Sequence, residues 1–328
     1  MMWNDHQGAH PLVPHRMLGN TGINASRLCF GTLTMGPLQQ NLTPEEGAAL
    51  LHHAFQRGIN FLDTAQIYGT YPHIRAFLQQ VPREKVVLMT KSYAWSRATA
   101  LEAVEEALGE MGTDTIDVFL LHEQESEHTL RGHREALNTF VQLKQEGILK
   151  AVGLSTHRVA AVTASLTVPE IDLLFPIFNP QGLGIGDGTL EDMITALTAA
   201  RKRGTAIVGM KPLGGGHLLG TYEETLRFSL NHPLLDAVAV GMQSRSEIDA
   251  NCLLAADQPL TPEIRKAAMA SKRRLHIGDE CRGCGSCAAL CRQNALSLQE
   301  GQALVDHSRC ILCSYCVRDC PEFAIKIL

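Results

Sequence analysis

No stretch of this 328-residue chain strings together the 18 or so apolar residues of a membrane span. The first residues, MMWNDHQGAHPLVPHR, hold no apolar core of a secretory signal. Cysteine is nearly missing before residue 281, where only Cys29 and Cys252 occur. A disulfide scaffold distributes its cysteines through the chain, so these two are read as small buried hydrophobes. Positive charge is not in excess: the net charge is −5 and the pI near 6.3, which argues against a nucleic-acid partner. No G-x-G-x-x-G follows the first strand-like run, so the dinucleotide fingerprint of an open doubly wound sheet is missing. These absences point to a cytoplasmic protein with reduced thiols, no membrane partner and no nucleic acid.

What is present is concentrated at the end. Cys281, Cys284, Cys287 and Cys291 form C-x2-C-x2-C-x3-C, and Cys310, Cys313, Cys316 and Cys320 repeat it, followed by Pro321. Zinc takes four ligands per ion, usually as two separated pairs, and gives no reason for three cysteines at constant spacing plus a fourth. In iron–sulfur runs of this kind the fourth cysteine ligates the other cluster. One 4Fe–4S cluster is therefore expected on Cys281, Cys284, Cys287 and Cys320, and a second on Cys310, Cys313, Cys316 and Cys291. A shift of 29 residues carries Cys281 onto Cys310 and also Ala295, Leu296 and Leu298 onto Ala324, Ile325 and Ile327. Residues 277–328 thus resemble a bacterial two-cluster ferredoxin. Arg292 departs from that pattern where the second run has Pro321, without removing a ligand.

The preceding residues alternate short apolar runs with helical patterns. Eight candidate strands end near Phe30, Asp63, Lys91, His122, Ser155, Phe175, Met210 and Gly241. Thr43-Pro44-Glu45-Glu46 reads as a helix start with a capping box and proline at the first helical position. Leu101, Val104, Leu108 and Met111 recur at helical spacing. Eight strands alternating with helices over about 250 residues predict a (β/α)8 TIM barrel. The expected division is a barrel over residues 1–260, a helical linker over 261–276 and a small α+β ferredoxin-like domain over 277–328.

In such a barrel, chemistry sits at the C-terminal ends of the strands. Those ends bring Asp63, Lys91 and His122, with Tyr68 in the loop after the second strand. Singly, an aspartate there reads as a helix cap and the acidic residues after His122 as a solvated face. Jointly they suit carbonyl chemistry. Reduction builds negative charge on oxygen, so a donor must stand there. Tyr68 would be the general acid, Lys91 the cation that favours phenolate, Asp63 the partner that fixes Lys91, and His122 the group orienting the carbonyl. Tyr71 and Tyr93 are also expected near the mouth. The loops after the seventh and eighth strands, with Lys211, Gly214, Ser244, Arg245 and Asn251, are candidates for holding nucleotide phosphates.

The segments GNTGINASRLCFGTLTMG, FLDTAQIYG, VVLMTKS, DVFLLHE and AVGLSTH resemble successive motifs of the aldo–keto reductases. The resemblance covers about residues 14–255 and implies an NADPH-dependent carbonyl reductase whose tetrad falls on Asp63, Tyr68, Lys91 and His122. It implies that Ser155 and Thr156 hold the carboxamide of the cofactor. Three positions depart from it. Met210 stands in place of a tyrosine that stacks on nicotinamide, and Phe175 in place of a glutamine. Glu247 stands where many members carry an arginine for the 2′-phosphate, which weakens NADPH preference and keeps NADH as an alternative. The expected function is an iron–sulfur oxidoreductase that moves hydride between a nicotinamide and a small carbonyl or alcohol substrate, its clusters exchanging electrons with a protein partner or substrate. The alternatives are a carbonyl reductase with structural or oxygen-sensing clusters, and a non-catalytic redox-responsive binding subunit.

Overall fold

The computed structural model describes residues 12–317 and 319–328. Eight parallel strands close into a barrel: β3 (Leu28–Gly31), β4 (Phe61–Asp63), β5 (Val87–Ser92), β6 (Ile116–Leu121), β7 (Leu149–Thr156), β8 (Leu173–Pro176), β9 (Ala206–Gly209) and β10 (Ala237–Gly241), with β10 pairing β3. All eight coincide with the apolar runs of the sequence. Before them, β1 (His15–Met17) and β2 (Asn24–Ser26) form an antiparallel hairpin. Leu18, Ile23 and Ala25 from this hairpin pack with the inward-facing Cys29, Phe61, Met89, Val118 and Leu120, so it stops the N-terminal end of the barrel.

The helices α1 (Pro44–Gln56), α2 (Tyr71–Leu78), α3 (Arg97–Met111), α4 (Glu127–Gly132), α5 (Arg134–Gln145), α6 (Val159–Ser165), α7 (Leu190–Lys202), α8 (Tyr222–Leu230) and α9 (Arg245–Ala255) follow the strands. The start of α1 is built as its sequence suggests. Thr43 accepts from the Glu46 amide at 3.2 Å, and Glu46 accepts from the Thr43 amide at 2.9 Å. In α3, Val104 and Met111 are buried against the barrel wall.

Beyond α9 the chain departs from a simple helical linker. α10 (Pro262–Ala268) is short, and Leu275–Ile277 form a strand, β11, that pairs antiparallel with the last strand, β14 (Ile325–Ile327). Between them lie α11 (Ser286–Leu290) and the hairpin β12 (Leu296–Gln299)–β13 (Gln302–Val305). The core of this small domain, including Leu275, Leu296, Val317, Phe323, Ile325 and Ile327, extends to Leu183 and Leu219 of the barrel loops. The domain therefore sits at the C-terminal ends of the barrel strands. Among the described residues no helix is long and apolar enough to cross a membrane.

Candidate active site and iron–sulfur sites

Strand ends bring the four expected side chains together. Lys91, buried in β5, donates to Asp63 Oδ1 at 2.6 Å and to the Thr64 carbonyl at 2.8 Å. Its ammonium lies 4.8 Å from the ring centre of Tyr68 and 5.1 Å from that of Phe175. His122, directly after β6, meets Tyr68 edge-on at 6.1 Å and stacks on Tyr93 at 4.4 Å. Its Nδ1 is buried without a partner. Tyr71 is instead a core residue, its hydroxyl against Thr90 at 2.9 Å.

Burial decides the protonation of this group. It raises Asp63 from the ordinary carboxyl range, against the pull of Lys91. It raises Tyr68 well above an ordinary phenol, and Asp63 and Glu123 add to this. The expectation that Lys91 favours phenolate is thus outweighed, and Tyr68 rests as a neutral O–H donor. His122 is pushed well below its usual range by burial, then by Lys91 and Lys211, so it is a neutral imidazole.

To Tyr93, Glu123 and Lys211, which the sequence reading named, the mouth adds His157, Phe323 and Lys326, which it passed over. Tyr93 donates to Glu123, which also lies 3.5 Å from His157, and Lys211 donates to His157 Nε2 at 3.0 Å. From the small domain come Phe323 and Lys326. The ammonium groups of Lys211 and Lys326 lie 5.5 and 4.7 Å from the Phe323 ring centre. A signal for these two was available. The 29-residue shift places Phe323 on Asn294 and Lys326 on Ser297, so the second repeat carries a bulky ring and a cation where the first has small polar side chains.

The expected nucleotide contacts are engaged by the chain itself. Ser155 Oγ accepts from the Glu123 amide at 2.8 Å, and Thr156 Oγ1 accepts from the Arg158 amide at 2.8 Å. Met210 is buried with the barrel interior. In the loop after β9, the Gly214 and Gly216 amides donate to the Lys211 and Leu213 carbonyls at 2.9 and 3.0 Å. A Cβ on Gly216 would lie 2.2 Å from the Ile327 carbonyl oxygen, so β14 roofs this loop, and His217 Nε2 meets the Ile325 carbonyl at 2.9 Å. Ser244 caps α9, accepting from the Glu247 amide at 3.2 Å. Glu247 is buried and accepts from Ser271 at 2.8 Å and Arg273 at 2.6 Å, which ties the linker across the start of α9. Asn251 accepts from Tyr222, and Arg245 is left exposed. Amides already bonded and a loop already covered do not fit a dinucleotide lying along this groove.

The eight tail cysteines fit iron–sulfur clusters. Cys281, Cys284, Cys287 and Cys320 line one cavity, and Cys291, Cys310, Cys313 and Cys316 line another. Each fourth cysteine therefore crosses to the other run's cavity. The Ala295 and Ala324 amides point at Cys291 and Cys320 Sγ, both at 3.3 Å, and the Ala303 amide at Cys281 Sγ at 3.4 Å. Such amides stabilise thiolate and raise a cluster's potential. The first cavity adjoins the barrel through Ile325. The second lies beside the exposed Ile311 and Tyr315.

Comparison with known proteins agrees with both halves. A model of the aldo/keto reductase family matches residues 27–227, and a 4Fe-4S dicluster domain matches residues 280–324. The chain belongs to the aldo/keto reductase family and carries a 4Fe-4S dicluster domain at its C-terminal end. L-galactose dehydrogenase of Arabidopsis thaliana is 26% identical over 214 residues, covering 62% of this chain and 66% of that protein. A 6-dehydroglucose reductase of Novosphingobium aromaticivorans is 29% identical over 258 residues, covering 70% and 78%. The matches to the first two such relatives span 66% and 60% of their length, under two thirds. A solved aldo-keto reductase from Pseudomonas aeruginosa superposes with a TM-score of 0.64 at 25% identity, covering 76% of this chain and 96% of that one.

Proposed function

We propose that the chain interconverts a small carbonyl compound and its alcohol at Tyr68, with electrons moving singly through two 4Fe–4S clusters. In reduction the carbonyl oxygen would sit between the Tyr68 hydroxyl and neutral His122. Tyr68, a weak acid in its resting state, gives up its proton as charge builds on that oxygen, and the nearby Lys91 ammonium stabilises the phenolate left behind. The balance is one carbonyl, two electrons and two protons to one alcohol, the proton on oxygen coming from Tyr68 and the one on carbon from solvent water. The clusters, when bound, supply one-electron transfer. The cavity of Cys281, Cys284, Cys287 and Cys320 is the inner one, and the cavity of Cys310, Cys313, Cys316 and Cys291 faces outward, where a protein donor or acceptor reaches it.

The observation that carries this reading is the seating of the small domain on the loops after β8 and β9 at the barrel mouth, with Phe323 and Lys326 beside Lys211 and Gly215. The same seating covers the loop after β9, which speaks against hydride from a resident NADPH or NADH. The test is anaerobic. Protein reduced with dithionite is mixed with an aldehyde panel while cluster bleaching and EPR are followed; re-oxidation matched to alcohol formed supports the reading. Turnover with NADPH while the clusters stay silent, unchanged in a Cys284→Ala, Cys313→Ala variant, would instead leave a plain carbonyl reductase with structural clusters.

A further inference from the structure

We propose that Lys211 of the barrel and Lys326 of the iron–sulfur domain form a two-pronged anion seat beside the tetrad, and that it takes the carboxylate of a small carbonyl or hydroxy acid. Both ammonium groups converge on one ring, that of Phe323. Among the described residues neither forms an ion pair with a carboxylate, whereas Lys91 and Lys144 each meet an aspartate. Lys211 instead donates to a neutral ring, His157, and Lys326 to the Phe323 carbonyl. Glu123 and Glu280 act on both cations only from a distance. Two desolvated cations with no carboxylate in contact, their negative charge coming from a distance and, at Lys326, also from Cys320, are costly unless a ligand brings one closer. Burial, then repulsion from Lys326, lowers Lys211 to about 7, and burial lowers Lys326 against the pull of Glu280, Cys320 and Glu123.

The backbone is bent to build this arrangement. Lys211 and Phe323 take positive φ values of 53° and 47°, uncommon for side chains of their size. Asn294, the counterpart of Phe323 in the first repeat, has the same φ of 47° with a residue that tolerates it. The turn is thus inherited from the repeat, and a phenyl ring has been placed on it to face the barrel. The Lys326 stem lies on Gly215, whose Cβ would come within 3.0 Å of Lys326 Cδ. A chain of contacts, from Lys211 to His157, Glu123, Tyr93 and His122, puts the seat on the same mouth as the tetrad. A dinucleotide phosphate has the same chemistry as a carboxylate, but the remainder of its groove is filled by β14, Arg273 and Tyr222.

The identity of the acid's reacting end rests on the carbonyl chemistry proposed above; the seat does not. The test uses the whole anaerobic holoprotein, with benzoate as a non-reacting anion and p-formylbenzoate against benzaldehyde as substrates. Calorimetry is expected to show benzoate binding weakened about tenfold in Lys326→Gln and in Lys211→Gln, each keeping its iron, with Lys326→Arg close to wild type. Unchanged benzoate affinity in both iron-replete glutamine variants overturns the seat. Displacement of benzoate by NADPH, itself lost in the same variants, assigns the anion to the nucleotide and overturns the carboxylate. Benzoate binding as expected without reduction of p-formylbenzoate leaves the seat standing and removes the carbonyl reading.

Discussion

Replacing Lys91 by methionine keeps most of its stem and removes one cation from beside Asp63. The two meet at 2.6 Å with side chains only 2% and 7% exposed, so the aspartate is left in the barrel with no counter-charge. Stranding one partner of a buried pair costs about 3–5 kcal/mol. Asp63 can escape by taking up a proton, and that limits the cost. Holding a proton at pH 7 on a group that releases it near 3.9 in the unfolded chain costs about 4 kcal/mol, at about 1.4 kcal/mol per unit. At pH 5.5 the same arithmetic gives about 2 kcal/mol.

The sign follows from proton counting. Burial already raises Asp63 in the folded protein, and loss of Lys91 raises it further. Over the window between the unfolded and folded values, the unfolded chain binds fewer protons, so stability falls as pH rises. Urea unfolding followed by far-ultraviolet circular dichroism under anaerobic conditions should show a variant deficit that grows from pH 5.5 to 7. Adding Asp63→Asn should recover most of it. A deficit that is flat with pH, or a double variant no better than Lys91→Met alone, would refute the claim that a stranded carboxylate is the cause.

Tyr68→Phe should lower carbonyl turnover by about 10²–10⁴-fold with little change in acid binding, read from single-turnover kinetics. Cys281→Ala and Cys320→Ala should remove the same EPR signal, and Cys310→Ala and Cys291→Ala the other; a split within either pair would contradict the crossed ligation. Glu247→Arg sets two guanidinium groups together in place of the Glu247–Arg273 pair, so it should destabilise by about 3 kcal/mol without tightening NADPH, as unfolding and calorimetry would show. Benzoate affinity should fall as pH rises through about 7, because the protonated Lys211, facing Lys326, Lys91, Glu123 and Glu280, is the form that attracts an anion.

The barrel was legible because each parallel strand is buried on both sides and reads as an apolar run, with helical periodicity between. The tetrad was legible for a related reason: Asp63, Lys91 and His122 are polar residues ending apolar strands, where a barrel directs them into one mouth. Fixed cysteine spacing carried the two cysteine-lined cavities, each of which includes the fourth cysteine of the other run. What the sequence did not carry was the docking of the two halves. That depends on contacts such as His217 with the Ile325 carbonyl and Gly216 with Ile327, more than a hundred residues apart and made partly by backbone atoms. Glu247 shows the limit well. Its charge was read as repelling a phosphate, but its partners, Ser271 and Arg273, lie on a linker expected to be helical.

The departures from the family motif fall among the residues expected at the nucleotide. Met210, Phe175 and Glu247 all lie where a nicotinamide dinucleotide would need a stacking ring, an amide or a cation. In their place stand an inward-packed thioether, a ring under Lys91 and a carboxylate bound to the chain's own arginine. The four residues expected to handle the proton are all present, whereas of those expected at the nucleotide three are replaced and others, such as Ser155, Thr156 and Ser244, are kept. A barrel that kept both sets would be using the iron–sulfur domain as an addition. Here the small domain lies on the loop after β9, where Gly216 meets Ile327 and His217 the Ile325 carbonyl, so it covers part of the region where the second set would act.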